Sequence, residues 1–268
     1  MRKFSIDRDP CGFRMYEKGT VSFEPGVTIL TGCNGAGKTT LLRTIENKLQ
    51  KEHVPVMSVS NLLDGGTRSI GHYLLHRQFE TAAQLPGSSE GEIISITLSR
   101  YLREVHRFIL TGEDGMHPEE MSGLETSLSD LAGNREEFER MQEKAKKDRE
   151  NSKERWLLLD GCDSGYSIDN MIDLKEVFSM ILSEGKEFGK DIYILAAANS
   201  YELAEGQRCL DVMAGTYYTP KSYASYRKRI LKTREKKNAR VYSSEEQDTR
   251  WKEARKKEKR NDSKGIKR

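Results

Sequence analysis

The residues with the clearest chemical purpose are Gly32-Cys33-Asn34-Gly35-Ala36-Gly37-Lys38-Thr39, which satisfy the spacing G-x-x-x-x-G-K-[ST]. Phosphate binding asks for these types in this order. Glycines let backbone N–H groups close around anionic oxygens, a lysine reaches the β- and γ-phosphates, and a hydroxyl holds Mg²⁺. Gly32, Asn34, Gly35, Ala36, Gly37, Lys38, Thr39 and Thr40 are therefore candidate ATP contacts, with Thr39 also a candidate Mg²⁺ ligand. A second carboxylate-bearing stretch lies far downstream. Trp156-Leu157-Leu158-Leu159-Asp160 is an apolar run ending in an acid, which makes Asp160 the expected partner of Thr39 at the metal.

These residues work only if their surroundings aim them. Val27 to Thr31 is short, apolar and β-branched, the pattern of a buried strand, and Thr40 to Ile45 opens a helical pattern that continues to about Lys51. A strand feeding a glycine loop that opens a helix gives a concave nest of N–H groups with a helix dipole behind it. Further strands are expected at Gly12 to Tyr16, Thr20 to Phe23, Val54 to Ser58, Trp156 to Asp160 and Asp191 to Ala198. An edge hairpin is expected over Cys209 to Tyr218, and a helix over Asn170 to about Ser183. Phe13 and Tyr16 stand where a ring could stack on adenine, although core packing explains either one. Ser89-x-x-Glu92 ahead of an apolar run is a capping box, which starts a helix and could present a second phosphate-binding N-terminus.

Composition bounds what such a site can belong to. The chain has 268 residues, 35% hydrophobic and 32% charged, enough for one sizeable core with a large solvated surface or extension. No apolar run approaches a membrane span, and the N-terminus lacks the apolar stretch of a signal peptide. Four scattered cysteines without a C-x-x-C pair fit a reduced, cytoplasmic protein, and Cys33 within the loop reads as filler. From Arg227 to Arg268 there are 18 Lys and Arg against 7 Asp and Glu, net +11, which leaves 27 against 35, net −8, for the rest. An acidic body with a basic tail is a statement about partners. Residues 111 to 155 read as a helical insertion, Glu-rich and alternating in charge after about 135. Beyond Tyr218, Tyr223, Tyr226, Ile230 and Leu231 could dock a turn or two of helix. Past Lys232 a partly helical, partly disordered tail is expected.

Three segments together resemble the ATP-binding cassette ATPases. Gly32 to Leu42 looks like their Gly-x-Asn-Gly-x-Gly-Lys-Thr-Thr-Leu-Leu loop, Ser88 to Glu92 resembles their signature, and Leu157 to Asp169 resembles their Walker-B strand and D-loop. The resemblance covers roughly residues 10–60, 85–105 and 155–215, and with no transmembrane partner in the chain it is nearer the soluble SMC and RecF kind. It implies an α/β P-loop NTPase head over 1–220, while the insertion at about 111–155 and the basic extension over 221–268 lie outside the resemblance. It also implies two protomers sandwiching two ATP, with Ser89 and the Gly91 amide touching the γ-phosphate in trans. The sequence departs from that family at three points. Gly161 stands where the family has its water-activating glutamate, Glu90 replaces a signature glycine, and Ala197-Ala198-Asn199-Ser200 lacks the switch histidine. Asp163 lies close enough to be weighed as a substitute catalytic carboxylate beside Lys38 and Asp160.

Two functions follow. One is a slow Mg-ATP hydrolase that cycles between dimer and monomer and acts on or with DNA or RNA through the basic tail 232–268. The other is a hydrolysis-deficient ATP switch that controls a protein partner. Losing a general base costs about 10²–10⁴ in rate, so the two differ in turnover rather than in binding.

Overall fold

A computed structural model describes residues 1–6, 16–60, 102–113, 135–163 and 167–239. Their centre is a six-stranded sheet made of β3 (Gly26–Thr31), β4 (Val56–Ser60), β5 (Glu154–Asp160), β6 (Asp191–Ala197), β7 (Cys209–Asp211) and β8 (Thr216–Tyr218), in the order β4-β5-β6-β3-β7-β8. All neighbours are parallel except β7 and β8, which form the expected antiparallel edge hairpin. A separate two-stranded ribbon pairs β1 (Arg2–Ser5) with β2 (Thr20–Phe23). The chain is thus mixed α/β with a parallel-dominated sheet.

Period-two burial explains why the strands are so apolar. Along β6, Ile192, Ile194 and Ala196 join the core on one face while Tyr193, Leu195 and Ala197 join the core on the other. In β5, Leu157 goes to the first face and Trp156 and Leu158 to the second. A parallel sheet covered on both sides needs apolar residues in both phases, which removes the alternation of a half-exposed strand. Helix α1 (Lys38–Lys51) buries Leu41, Leu42, Ile45 and Leu49 on the second face. The opposite face is covered by α2 (102–111) and α4 (Ile168–Glu187). Helix α4 starts at a capping box between Ser167 and Asn170. It lies so close to the sheet that a Cβ on Gly185 would stand 2.1 Å from Ile192.

Aromatic rings tie the N-terminal ribbon down. Trp156 stacks on Tyr193 with centroids 4.0 Å apart and 4° between planes, and Phe4 and Phe23 meet the indole edge-on. Strand β1 was not among the expected strands, because Arg2 and Lys3 hide the one buried position, Phe4. Arg2 also pairs with Glu52, just after α1, and with Glu154 at the start of β5.

Helix α3 (Arg135–Asn151) returns the chain to β5 through Arg155. This fully buried guanidinium donates to the carbonyls of Phe108 and Ile109 at 3.1 and 3.0 Å and to Ser152 at 2.7 Å. It therefore satisfies the last carbonyls of α2 and the turn after α3 together.

The short helix α5 (Tyr201–Ala204) precedes β7, and after β8 comes a much longer helix, α6 (223–239). The sequence led us to expect one or two turns here, and the helix runs for more than four. Tyr226, Ile230, Thr233 and Lys237 recur at helical spacing on the side facing the body, while the charged remainder faces water. A threonine and a lysine in that stripe mask it as a hydrophobic pattern. Among the described residues, no helix is long and apolar enough to cross a membrane.

Candidate functional site

Register brings the distant motifs to one level. Leu30 pairs with Ala197 across β3 and β6, and Ala197 pairs with Asp160 across β6 and β5. One strand separates β3 from β5, so the phosphate loop and Asp160 stand about 10 Å apart at the carboxyl edge of the sheet. Ligands of open α/β sheets bind at such an edge.

The loop between β3 and α1 has the conformation its glycines allow. Gly35 and Gly37 have φ of 74° and 92°, in the left-handed region that other residues avoid. A Cβ on Gly32 would stand 2.9 Å from that of Ala36, so the loop closes on itself only without a side chain there. Tyr16 is buried and donates its hydroxyl hydrogen bond to the Gly37 carbonyl at 2.8 Å, so its ring braces the loop as part of the core. Phe13 lies outside the described residues.

Residues 34–40 line a cleft of about 380 Å³ together with Asp160, Gly161, Asp163, Ala197 and Asn199. Of the residues singled out in the sequence, Asn34, Gly35, Ala36, Gly37, Lys38, Thr39, Thr40, Asp160 and Asp163 thus meet in one place, and Gly32 is tied to them through its carbonyl, which accepts from Lys38. Ser89 and Gly91 lie outside the described residues. The Lys38 ammonium donates to the Gly32 carbonyl and to Asn199 Oδ1, both at 2.9 Å. Burial holds it below the ordinary lysine value, partly offset by Asp163, Cys33 and Asp160. A desolvated cation in a nest of N–H groups is a site in want of an anion.

The oxygen donors suit the implied metal. Thr39 offers a hydroxyl and Asp160 a carboxylate, hard ligands of the type Mg²⁺ takes. Among the described residues no cluster of three or more His, Cys, Asp or Glu could hold a metal.

Asn199 went unassigned in the sequence, yet it joins the parts. Its amide N–H donates to Asp163 Oδ2 at 2.5 Å, its Nδ2 to Asn34 Oδ1 at 3.2 Å, and its carbonyl accepts from the Tyr226 hydroxyl at 2.9 Å. The available signal was its place as the first polar residue after an apolar strand. Asp163 Oδ2 also accepts from the Ser200 amide at 2.8 Å, so one oxygen of this carboxylate braces the turn after β6. Gly161 has a φ of 65°, and a glutamate there would adopt a left-handed backbone at a cost of about 1–2 kcal/mol. Burial pushes the Cys162 thiol far up and keeps it protonated, and its Sγ contacts the Ala197 carbonyl.

Lys237 also reaches the loop. Its ammonium donates to the Asn34 carbonyl at 2.8 Å, from a helix that the sequence did not connect with the site. Residues 11–52, which include β2, β3, the phosphate loop and all of α1, match the family described as an AAA domain. No curated protein matches the chain. Taken with the loop geometry, that match supports an ATP-binding P-loop ATPase domain.

Proposed function

We propose that the chain is an ATPase of the soluble cassette type that binds Mg-ATP, closes as an ATP-sandwiched homodimer, and hydrolyses slowly while working on or with nucleic acid. The observation that carries this reading is the convergence of Lys38, Thr39 and Asp160 on one cleft floored by the glycine loop. In this reading the loop amides and Lys38 hold the phosphates, and Thr39 and Asp160 hold the cation, whose role is to neutralise charge on the phosphate oxygens. Lys38 acts on the transferring phosphoryl group, and Ser89 and Gly91 complete the partner's site. The head occupies residues 1–220 with its insertion at about 111–155, and the basic extension occupies 221–268.

A second reading, a switch that binds ATP and hydrolyses little, is favoured by Gly161 in place of a glutamate and by the bracing role of Asp163. Light scattering on a sizing column with and without Mg-ATP, with phosphate release assayed in the same sample, separates the two. A dimer with steady release supports the hydrolase, and a dimer with almost none supports the switch. A monomer under every condition overturns the sandwich. Turnover of Gly161→Glu compared with Gly161→Ala sharpens the answer, because the alanine variant carries the same backbone strain without the carboxylate.

The basic tail supports nucleic acid as a partner through neutralised phosphates and released counterions, independent of sequence and sensitive to salt. Because Thr233 and Lys237 lie against the phosphate loop, the informative truncation is 240–268 rather than 232–268. Loss of DNA or RNA binding with ATP affinity intact is the expected result. Retained binding would leave an acidic protein surface as the tail's partner.

A further inference from the structure

We propose that Lys237 is a second phosphate-binding cation, delivered in cis by α6, which takes an oxygen of the terminal phosphate of a bound nucleoside triphosphate. The proposal rests on the nucleotide-binding reading above and adds a ligand that no loop motif contains.

Three observations carry it. The ammonium is already at the loop, 2.8 Å from the Asn34 carbonyl, and Asn34 and Gly35 line the same cleft as Lys38. Its approach depends on the absence of a side chain opposite. A Cβ on Gly35 would stand 2.7 Å from the Lys237 ammonium and 3.2 Å from its Cε. Gly35 therefore does two things, adopting a left-handed φ and leaving room for a cation over the loop. Among the described residues no carboxylate pairs with Lys237, whereas its neighbour Lys236 pairs with Glu17 at 2.8 Å. A carbonyl uses one of three ammonium donors and none of the charge, so the group is free to serve an anion.

Anchors other than Lys237 fix the helix that carries it. Tyr226 bonds the Asn199 carbonyl, Arg229 lies over the Tyr218 ring at 3.9 Å and near Asp211, and Thr233 is buried one turn before Lys237 beside Gly32. The lysine is held in place ahead of the ligand, which lowers the ordering entropy that a flexible finger would lose on binding. The resting bond is to a neutral carbonyl, whereas phosphate offers the ammonium an anionic acceptor and so the stronger bond.

The test compares affinities of ATPγS and ADP for wild type, Lys237→Gln, Lys237→Arg and Lys38→Ala, each checked for an unchanged melting profile. Lys237→Gln keeps a donor for the Asn34 carbonyl and loses the charge. The expected result is a roughly ten- to hundredfold loss of ATPγS affinity for Lys237→Gln, little change for ADP, and near wild-type binding for Lys237→Arg. Unchanged or tighter ATPγS binding by Lys237→Gln overturns the proposal, as does an equal loss for both nucleotides, which would mark a general support of the loop. Failure of the underlying reading looks different. In that case wild type itself binds neither nucleotide, and Lys38→Ala changes nothing.

Discussion

At the scale of single residues, Lys38, Asp163 and Asn199 each make more than one hydrogen bond within the site. Asp163 illustrates the point. With Oδ2 accepting from the amides of Asn199 and Ser200, it braces the turn that presents Asn199 to Lys38. Asp163→Asn keeps an acceptor oxygen and removes basicity, so bracing and catalysis give different outcomes. As a brace, the asparagine variant should unfold within about 0.5 kcal/mol of wild type and retain its turnover, while Asp163→Ala loses about 1–3 kcal/mol in urea titration. A fall of about 10²–10⁴ in phosphate release by Asp163→Asn would instead make it the general base. The cleft was legible in the sequence because Gly32, Gly37, Lys38 and Asp160 are dictated by chemistry at fixed spacing. Asn199 and Lys237 were not, because a lone asparagine or lysine gains meaning only from what the fold places beside it.

At the scale of elements, the strands were readable from apolar runs, and the helices where one face is apolar. Strand β1 escaped, and α6 was read as only a turn or two, because charge dilutes their patterns: Phe4 alone is buried in β1, and α6 turns a threonine and a lysine inward. Arg155 shows why a buried charge can be required by element ends. It supplies donors to carbonyls at the ends of α2 and α3, sharing Phe108 with the Gly112 amide and Glu150 with the Lys190 ammonium, and burial pulls its guanidinium down to about 10. Arg155→Lys offers three donors from one point in place of a planar fork, and it should destabilise the fold by about 3 kcal/mol or more in chemical denaturation. Little loss would show that water can replace the guanidinium. The same substitution should leave nucleotide affinity intact in the folded fraction, since Arg155 lies at the opposite end of β5 from Asp160.

At the scale of the whole molecule, stability is tied to pH through tyrosines of β8 and α6. Burial pushes Tyr217 and Tyr218 up to about 12, and Tyr226 higher still. In the unfolded chain each ionises near 10, so between about pH 10 and 12 the unfolded state has lost protons that the native state keeps. Stability present below pH 10 is therefore lost as pH rises, by about 1.4 kcal/mol per pH unit for each such group. Urea midpoints across that range should fall steeply for wild type and less steeply for Tyr218→Phe. Equal slopes would show that Tyr218 ionises normally in the fold. Trp156, sealed in the sheet against Tyr193, has a practical consequence for all of these measurements. The chain has only one other tryptophan, Trp251 of the basic tail. Its two indoles therefore form a built-in pair of optical reporters, the first for the integrity of the body and the second for whatever grips the tail. A single Trp→Phe change silences either one, so unfolding and partner binding can be followed separately in one unlabelled sample.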